Sequence, residues 1–142
     1  GRLTRRAIRE GLAGKVEFLG FLSNEDLAAI YHACDVFVLP SISNNETLGV
    51  VQLEAMACGK PVVSTNLPTG VPYANIDGQT GLVVPPKDAA ALAEAINSLL
   101  ADEKSRRQMG GKGKKRVQEH FNANDMLEQM TDLYHRIDGS SC

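Results

Sequence analysis

Three short runs, Val36-Phe37-Val38-Leu39, Val62-Val63-Ser64 and Leu82-Val83-Val84, constrain this chain more than any other feature. Each is apolar or β-branched at consecutive positions, so an extended backbone there carries apolar side chains on both faces. A strand of that kind is covered on both sides, as in a parallel sheet flanked by helices. Val16–Leu19 reads as a fourth, shorter strand. Helical patterns fill the intervals. Residues 2–11 carry Leu3, Ala7 and Ile8 at helical spacing. Leu27, Ile30 and Tyr31 follow a Ser23/Asp26 capping box. A helix from Leu48 to Cys58 is closed by Gly59 and Pro61. Asp88 caps a helix through Leu100. Residues 103–119 form a charged helix weakened by Gly110, Gly111 and Gly113. Asn124 caps a last helix with Leu127, Met130, Tyr134 and Ile137 on one face. Asn66–Gly78 reads as a loop.

Alternating helices and short apolar strands give the fold class α/β, a Rossmann-like parallel sheet with flanking helices. Four strands are fewer than the roughly six of a doubly wound sheet, and the chain opens on a helix. The expectation is a piece of a longer protein, with the first strand or two upstream of Gly1. Residues 1–137 are expected to be one domain, and 138–142 a frayed or appended tail.

Composition narrows the function classes. A formal net charge of -2 gives no global attraction to nucleic acid or an anionic membrane. No apolar run approaches the ~20 residues that span a bilayer. The start, GRLTRRAIREG, lacks the apolar core of a signal peptide. Three dispersed cysteines, Cys34, Cys58 and Cys142, form neither a disulfide framework nor a metal ligand set. They fit a cytoplasmic protein with small buried thiols.

The chemistry concentrates in Glu46-Thr47-Leu48-Gly49 and the helix after it. This stretch lies between the carboxyl end of a strand and the amino end of a helix, where open α/β sheets bind ligands. The first amides of a helix have no internal acceptor and face a site that favours anions. Gly49 keeps side-chain bulk away from such an anion. Leu48, Gly49, Val50 and Val51 therefore offer amides to a phosphate. Glu46 could accept from hydroxyls beside it. Glu54, about two turns into the helix, could accept from a diol such as ribose. The ligand suited to this set has hydroxyls, then phosphate, then hydroxyls. The same residues also fit an ordinary first-turn glutamate and a Glu54 paired with Arg or Lys.

The segment SNNETLGVVQLEAMACGKPVVST resembles the donor-site signature of retaining GT-B glycosyltransferases, the E-x7-E or group 1 family. Glu46 and Glu54 match the two acids. Gly49, Ala55, Met56, Ala57, Gly59, Pro61, Val62 and Val63 match the rest. Val16–Gly20, Leu27–Leu39 and Gly78–Asp88 resemble flanking family segments in the same order. The resemblance implies the C-terminal, nucleotide-sugar-binding domain of a two-domain enzyme. Glu54 would hold the ribose. Glu46, the expected catalytic residue, would meet the donor sugar with the amides of Leu48 and Gly49. The amides of Val50 and Val51 would meet the diphosphate, and Gly20-Phe21-Leu22 would lie by the nucleobase. The donor is expected to be a UDP- or GDP-sugar, with no other cofactor and no metal. The reaction is hexosyl transfer with retained configuration to an unknown acceptor, in bacterial polysaccharide or glycolipid synthesis.

The basic pair that grips the diphosphate, and the N-terminal acceptor domain, lie upstream of Gly1 in that family. This stretch alone is therefore expected to be inactive. The absent domain would supply any peripheral membrane association, at the cytoplasmic face. The loop Asn66–Pro72 resembles the version in polysaccharide enzymes, mannosyltransferases among them. The alternatives are a nucleotide-sugar epimerase of the same architecture and a non-enzymatic sugar-nucleotide module.

Other features carry less. The basic run Lys104, Arg106, Arg107, Lys112, Lys114, Lys115 and Arg116 reads as a solvated helix, since acids flank it and no aromatics interleave it. GGKGKK has P-loop spacing but Lys115 in place of the Mg²⁺-binding hydroxyl, and no strand before it. His32, His120 and His135 read as surface or helix-face residues.

Overall fold

The structure is a computed structural model that describes residues 1–138. Three parallel strands lie in the order β1-β2-β3: β1 (Phe37–Leu39), β2 (Val62–Thr65) and β3 (Gly81–Val84). Phe37, Val38 and Leu39 stand opposite Val62, Val63 and Ser64, which in turn oppose Gly81, Leu82 and Val83. β2 is buried along its whole length, as its unbroken apolar run requires. β1 is only half-buried, because it forms an edge of this sheet.

The strands alternate their side chains between two cores. Val62 packs with Tyr31, Ala55 and Met56 on one face. Val63 packs with Val84, Ala95 and Leu99 on the other. The first face is covered by α2 (Asn24–Ala33) and α3 (Val50–Ala57), and the second by α5 (Ala89–Ala101). α6 (Glu103–His120) serves both, through Val117 and Met109. α1 (Arg2–Arg9) precedes these elements and α7 (Ala123–Asp138) follows them. Ser23 accepts from the Asp26 amide at 3.1 Å and Asp88 from the Ala91 amide at 2.9 Å, so both expected caps form. α3 ends in paired bonds from the Gly59 amide to Met56 and the Lys60 amide to Ala55, the pattern expected of Gly59.

Several expectations change. Val16–Leu19 forms no ladder, and Val16, Phe18 and Leu19 remain exposed. A strand needs a neighbour for its amides and carbonyls, and among the described residues none lies beside this segment. The loop at 66–78 contains a short helix, α4 (Val71–Ala74). The cap of α7 is Asn122, which accepts from the Asp125 amide at 3.0 Å, and not Asn124. α7 exposes Leu127, Met130 and Tyr134. The Ile137 side chain, Cys142 and the tail beyond Asp138 lie outside the described residues. Cys34 and Cys58 are half-buried free thiols rather than buried ones. Burial pushes the Cys34 thiol up, an effect that Lys60 partly offsets.

The basic run is not simply solvated. Arg106 donates to the carbonyls of Leu99 and Leu100 at 2.8 and 2.6 Å, closing the end of α5. Arg116 donates to Tyr73 and Ala74 at 2.7 and 3.2 Å, closing α4, and stacks on the Tyr73 and Phe121 rings. Gly110 does not break α6. It brings the helix against α3, where a Cβ would collide with the Gly59 carbonyl. No helix among the described residues is long and apolar enough to cross a membrane.

Candidate functional site

The loop at 41–49 leaves the carboxyl end of β1 and is held from three sides. Thr65 Oγ1 donates to the Ser41 carbonyl at 2.5 Å. The Gly70 amide donates to the Thr47 carbonyl at 2.6 Å. Gln52, fully buried, donates from Nε2 to Leu48 O at 2.5 Å and to Val71 O at 3.3 Å. The carbonyls of Thr47 and Leu48 are thus occupied by the protein. The amides at the junction are not: among the described residues, none of Leu48, Gly49, Val50 and Val51 donates a hydrogen bond.

Gly49, not Leu48, is the helix boundary. Its φ of 70° and ψ of 63° are left-handed, a conformation costly for other L-residues. A Cβ there would also strike Leu39 Cδ2 at 2.5 Å and Gln52 Nε2 at 3.1 Å. The helix therefore starts at Val50. Val50 and Val51 stand on its first turn, 60% and 39% exposed, so the opening is not plugged by apolar packing. The shift also places Glu54 just past the first turn rather than two turns in.

The two acids differ in support. Glu46 is half-buried in the loop; its amide donates to the Ser43 carbonyl at 3.3 Å, and its carboxylate has no partner among the described residues. Glu54 is exposed and takes neither Arg nor Lys as partner. Its Oε2 accepts from Tyr31 Oη at 2.9 Å. Burial, with the hydrogen bond and charge of Glu54, pushes the Tyr31 phenol up to about 12. Gly20 and Phe21 are exposed and Leu22 is half-buried. Phe21, at 103% exposure, leads with its neighbours into α2, the helix that carries Tyr31. Loop, helix opening and Glu54 thus form one continuous edge, tied to α2 by the Tyr31 bond. Beside it, Leu48 and Leu53 line a cleft of about 430 Å³ with Tyr73 and Phe121. Among the described residues, no three His, Cys, Asp or Glu side chains converge as metal ligands.

Residues 2–116 match the family described as glycosyl transferases group 1. The chain belongs to that family. It is 34% identical over 130 residues to an O-antigen chain mannosyltransferase C of Escherichia coli, covering 92% of this chain and 35% of that protein. It is 42% identical over 100 residues to a D-inositol 3-phosphate glycosyltransferase of Corynebacterium diphtheriae, covering 70% and 23%. Among solved structures, the sucrose-phosphate synthase of Thermosynechococcus elongatus superposes with a TM-score of 0.88 at 40% identity, covering 99% of this chain and 34% of that one. Anabaena HepE in complex with UDP superposes with a TM-score of 0.88 at 27% identity, covering 95% and 36%. The same protein has also been solved with UDP-glucose. This group 1 chain spans about a third or less of the length of these relatives, and its fold is that of part of a GT-B glycosyltransferase.

The sequence reading missed Tyr31 and Gln52. Both sit among apolar residues at helical spacing, where their polar ends leave no periodic signal. Glu54 was the available pointer: an acid among apolar neighbours calls for a partner.

Proposed function

We propose that this chain is the donor-binding domain of a retaining hexosyl glycosyltransferase that uses a UDP- or GDP-sugar. The observation that carries the reading is the opening of α3, with amides free from Leu48 to Val51 between Glu46 and Glu54. The amides of Val50 and Val51 receive the diphosphate. Glu54 accepts from the ribose diol. Glu46 and the amides of Leu48 and Gly49 meet the sugar, and Phe21 covers the base. As the anomeric C–O bond breaks, negative charge grows on the leaving diphosphate. Fixed amides and the helix dipole stabilise that charge without having to reorganise. Support for the donor class comes from HepE, solved with UDP and with UDP-glucose. Support for a role in polysaccharide assembly comes from the O-antigen mannosyltransferase.

The test uses the full-length protein. Glu54→Ala is expected to remove ribose-dependent affinity for UDP or GDP and leave the domain folded. Glu46→Ala is expected to lower turnover far more than it weakens binding of the bare nucleoside diphosphate. Unchanged diphosphate affinity in the first variant defeats the Glu54 assignment. Equal losses of turnover and binding in the second make Glu46 structural.

A further inference from the structure

One contact extends that donor-site reading and rests on it. Tyr31 is 6% exposed, and its ring packs edge-on against Phe37 with centroids 5.6 Å apart. Ala55, Met56 and Val62 share its core. The phenol is therefore anchored, and its single polar atom reaches Glu54 Oε2 at 2.9 Å. Glu54 is exposed on α3, and its other oxygen has no partner among the described residues. An unsupported glutamate samples several rotamers, and a ligand that needs one of them must bear the ordering cost.

We infer that Tyr31 is a positioning residue of the donor site, whose hydroxyl clamps Glu54 so that the carboxylate meets the ribose diol in a set orientation. Oε1 stays wholly available, and Oε2 keeps a second lone pair beside the Tyr31 bond. A phenol is neutral throughout the physiological range, and burial and then Glu54 push this one further up, to about 12, so it remains a donor. The Tyr31 hydroxyl thus joins α2 to the site through a hydrogen bond rather than packing alone.

The experiment is calorimetry on the full-length protein with UDP, GDP and their 2′,3′-dideoxy analogues, which lack both hydroxyls of the diol. The unsubstituted protein prefers the ribose form of whichever diphosphate it binds. Tyr31→Phe removes one oxygen and keeps the ring, and a melting curve shows whether it folds. The ribose form is expected to lose about tenfold in affinity, the worth of one hydrogen bond to a charged group. The deoxy forms are expected to change little, so the preference collapses. Glu54→Gln combined with Tyr31→Phe binds no worse than Glu54→Gln alone, because both act through one carboxylate. A preference that survives Tyr31→Phe, equal weakening of ribose and deoxy forms, additive losses in the double variant, or a Tyr31→Phe protein that does not fold each overturns the role of Tyr31. If the unsubstituted protein shows no ribose preference, the diol assignment to Glu54 fails first and takes this inference with it.

Discussion

The two flanks of α3 follow opposite rules. Its inner flank, with Gln52, Ala55 and Met56 buried, is packed so closely that α6 meets it through Gly110 and Gly113. Its outer flank and opening leave Val50, Val51 and Glu54 in solvent and the first amides unbonded. The inner flank is fixed by sterics, so its residues are interpretable from volume alone. The outer one is not required by the fold, and its free hydrogen-bonding groups are what a ligand can use. In one eight-residue helix, stability and recognition are divided by direction.

The sharpest way to break this division is at Gly110. A valine there would drive Cβ into the Gly59 carbonyl, a backbone atom fixed by the end of α3. Loss of roughly 3 kcal/mol or more is expected, enough to leave much of the protein unfolded. Gly111→Ala is the control, because nothing lies within 4 Å of its Cβ position. It should gain up to about 1 kcal/mol from helix propensity. Urea titrations of both variants check the pair. Equal tolerance at the two positions would remove the close α3–α6 contact from the account.

Gly49 stands on the border between the two flanks and tests whether they separate there. Alanine must adopt a φ of 70° and crowd Leu39 and Gln52, at a cost of about 1–3 kcal/mol. Nucleoside diphosphate binding should fall further than stability, because the amides of Val50 and Val51 move with the turn. A thermal melt and a titration on the same sample compare the two losses.

Glu54→Ala is the corresponding test of the open flank. The side chain is exposed and bonds only Tyr31 among the described residues. Its loss is expected to change stability by less than about 1 kcal/mol, the price of leaving one phenol to find water. A larger loss in a melt would show that the outer flank also holds the fold.

The inner flank was also the more legible one. Consecutive β-branched residues at Val62-Val63 identified the buried central strand, and Gly59 with Pro61 identified the end of α3. Both signals are local. What stayed hidden depends on residues far apart in the chain. The partner of Glu54 is 23 residues away on α2. Arg116 reaches carbonyls 42 and 43 positions earlier, so a residue in a basic run becomes the cap of another helix. Asn75 joins Val62, Ser64, Leu82 and Thr80 around one buried amide, although it sits in a stretch that reads as loop. Val16–Leu19 shows the converse. Its local pattern favours a strand, but the ladder needs a neighbour that the described residues do not provide. At the site, the order of acid, glycine and acid was readable. The left-handed turn at Gly49, which moves the helix start to Val50, was not, because glycine takes either sign of φ and the local sequence does not select one.

The two flanks meet at Tyr31, whose ring belongs to the inner core and whose hydroxyl reaches the outer face. In the folded protein its phenol is pushed up to about 12, first by burial and then by the bond to Glu54 and its charge. In the unfolded chain it ionises near about 10. The folded state therefore keeps a proton that the unfolded state loses as pH rises between those values. Stability falls with pH wherever the unfolded state binds fewer protons. The contribution is whole below about pH 10, declines through the window, and is gone above about 12. Tyr31→Phe has no such group, so subtracting its stability from that of the unsubstituted protein isolates the Tyr31 contribution from other alkaline titrations. The difference should be flat from pH 7 to 9 and shrink above pH 10. A difference that stays flat to pH 12 would mean that neither burial nor Glu54 holds its proton, and a difference that grows above pH 10 would mean that the folded state releases the proton more readily than the unfolded chain.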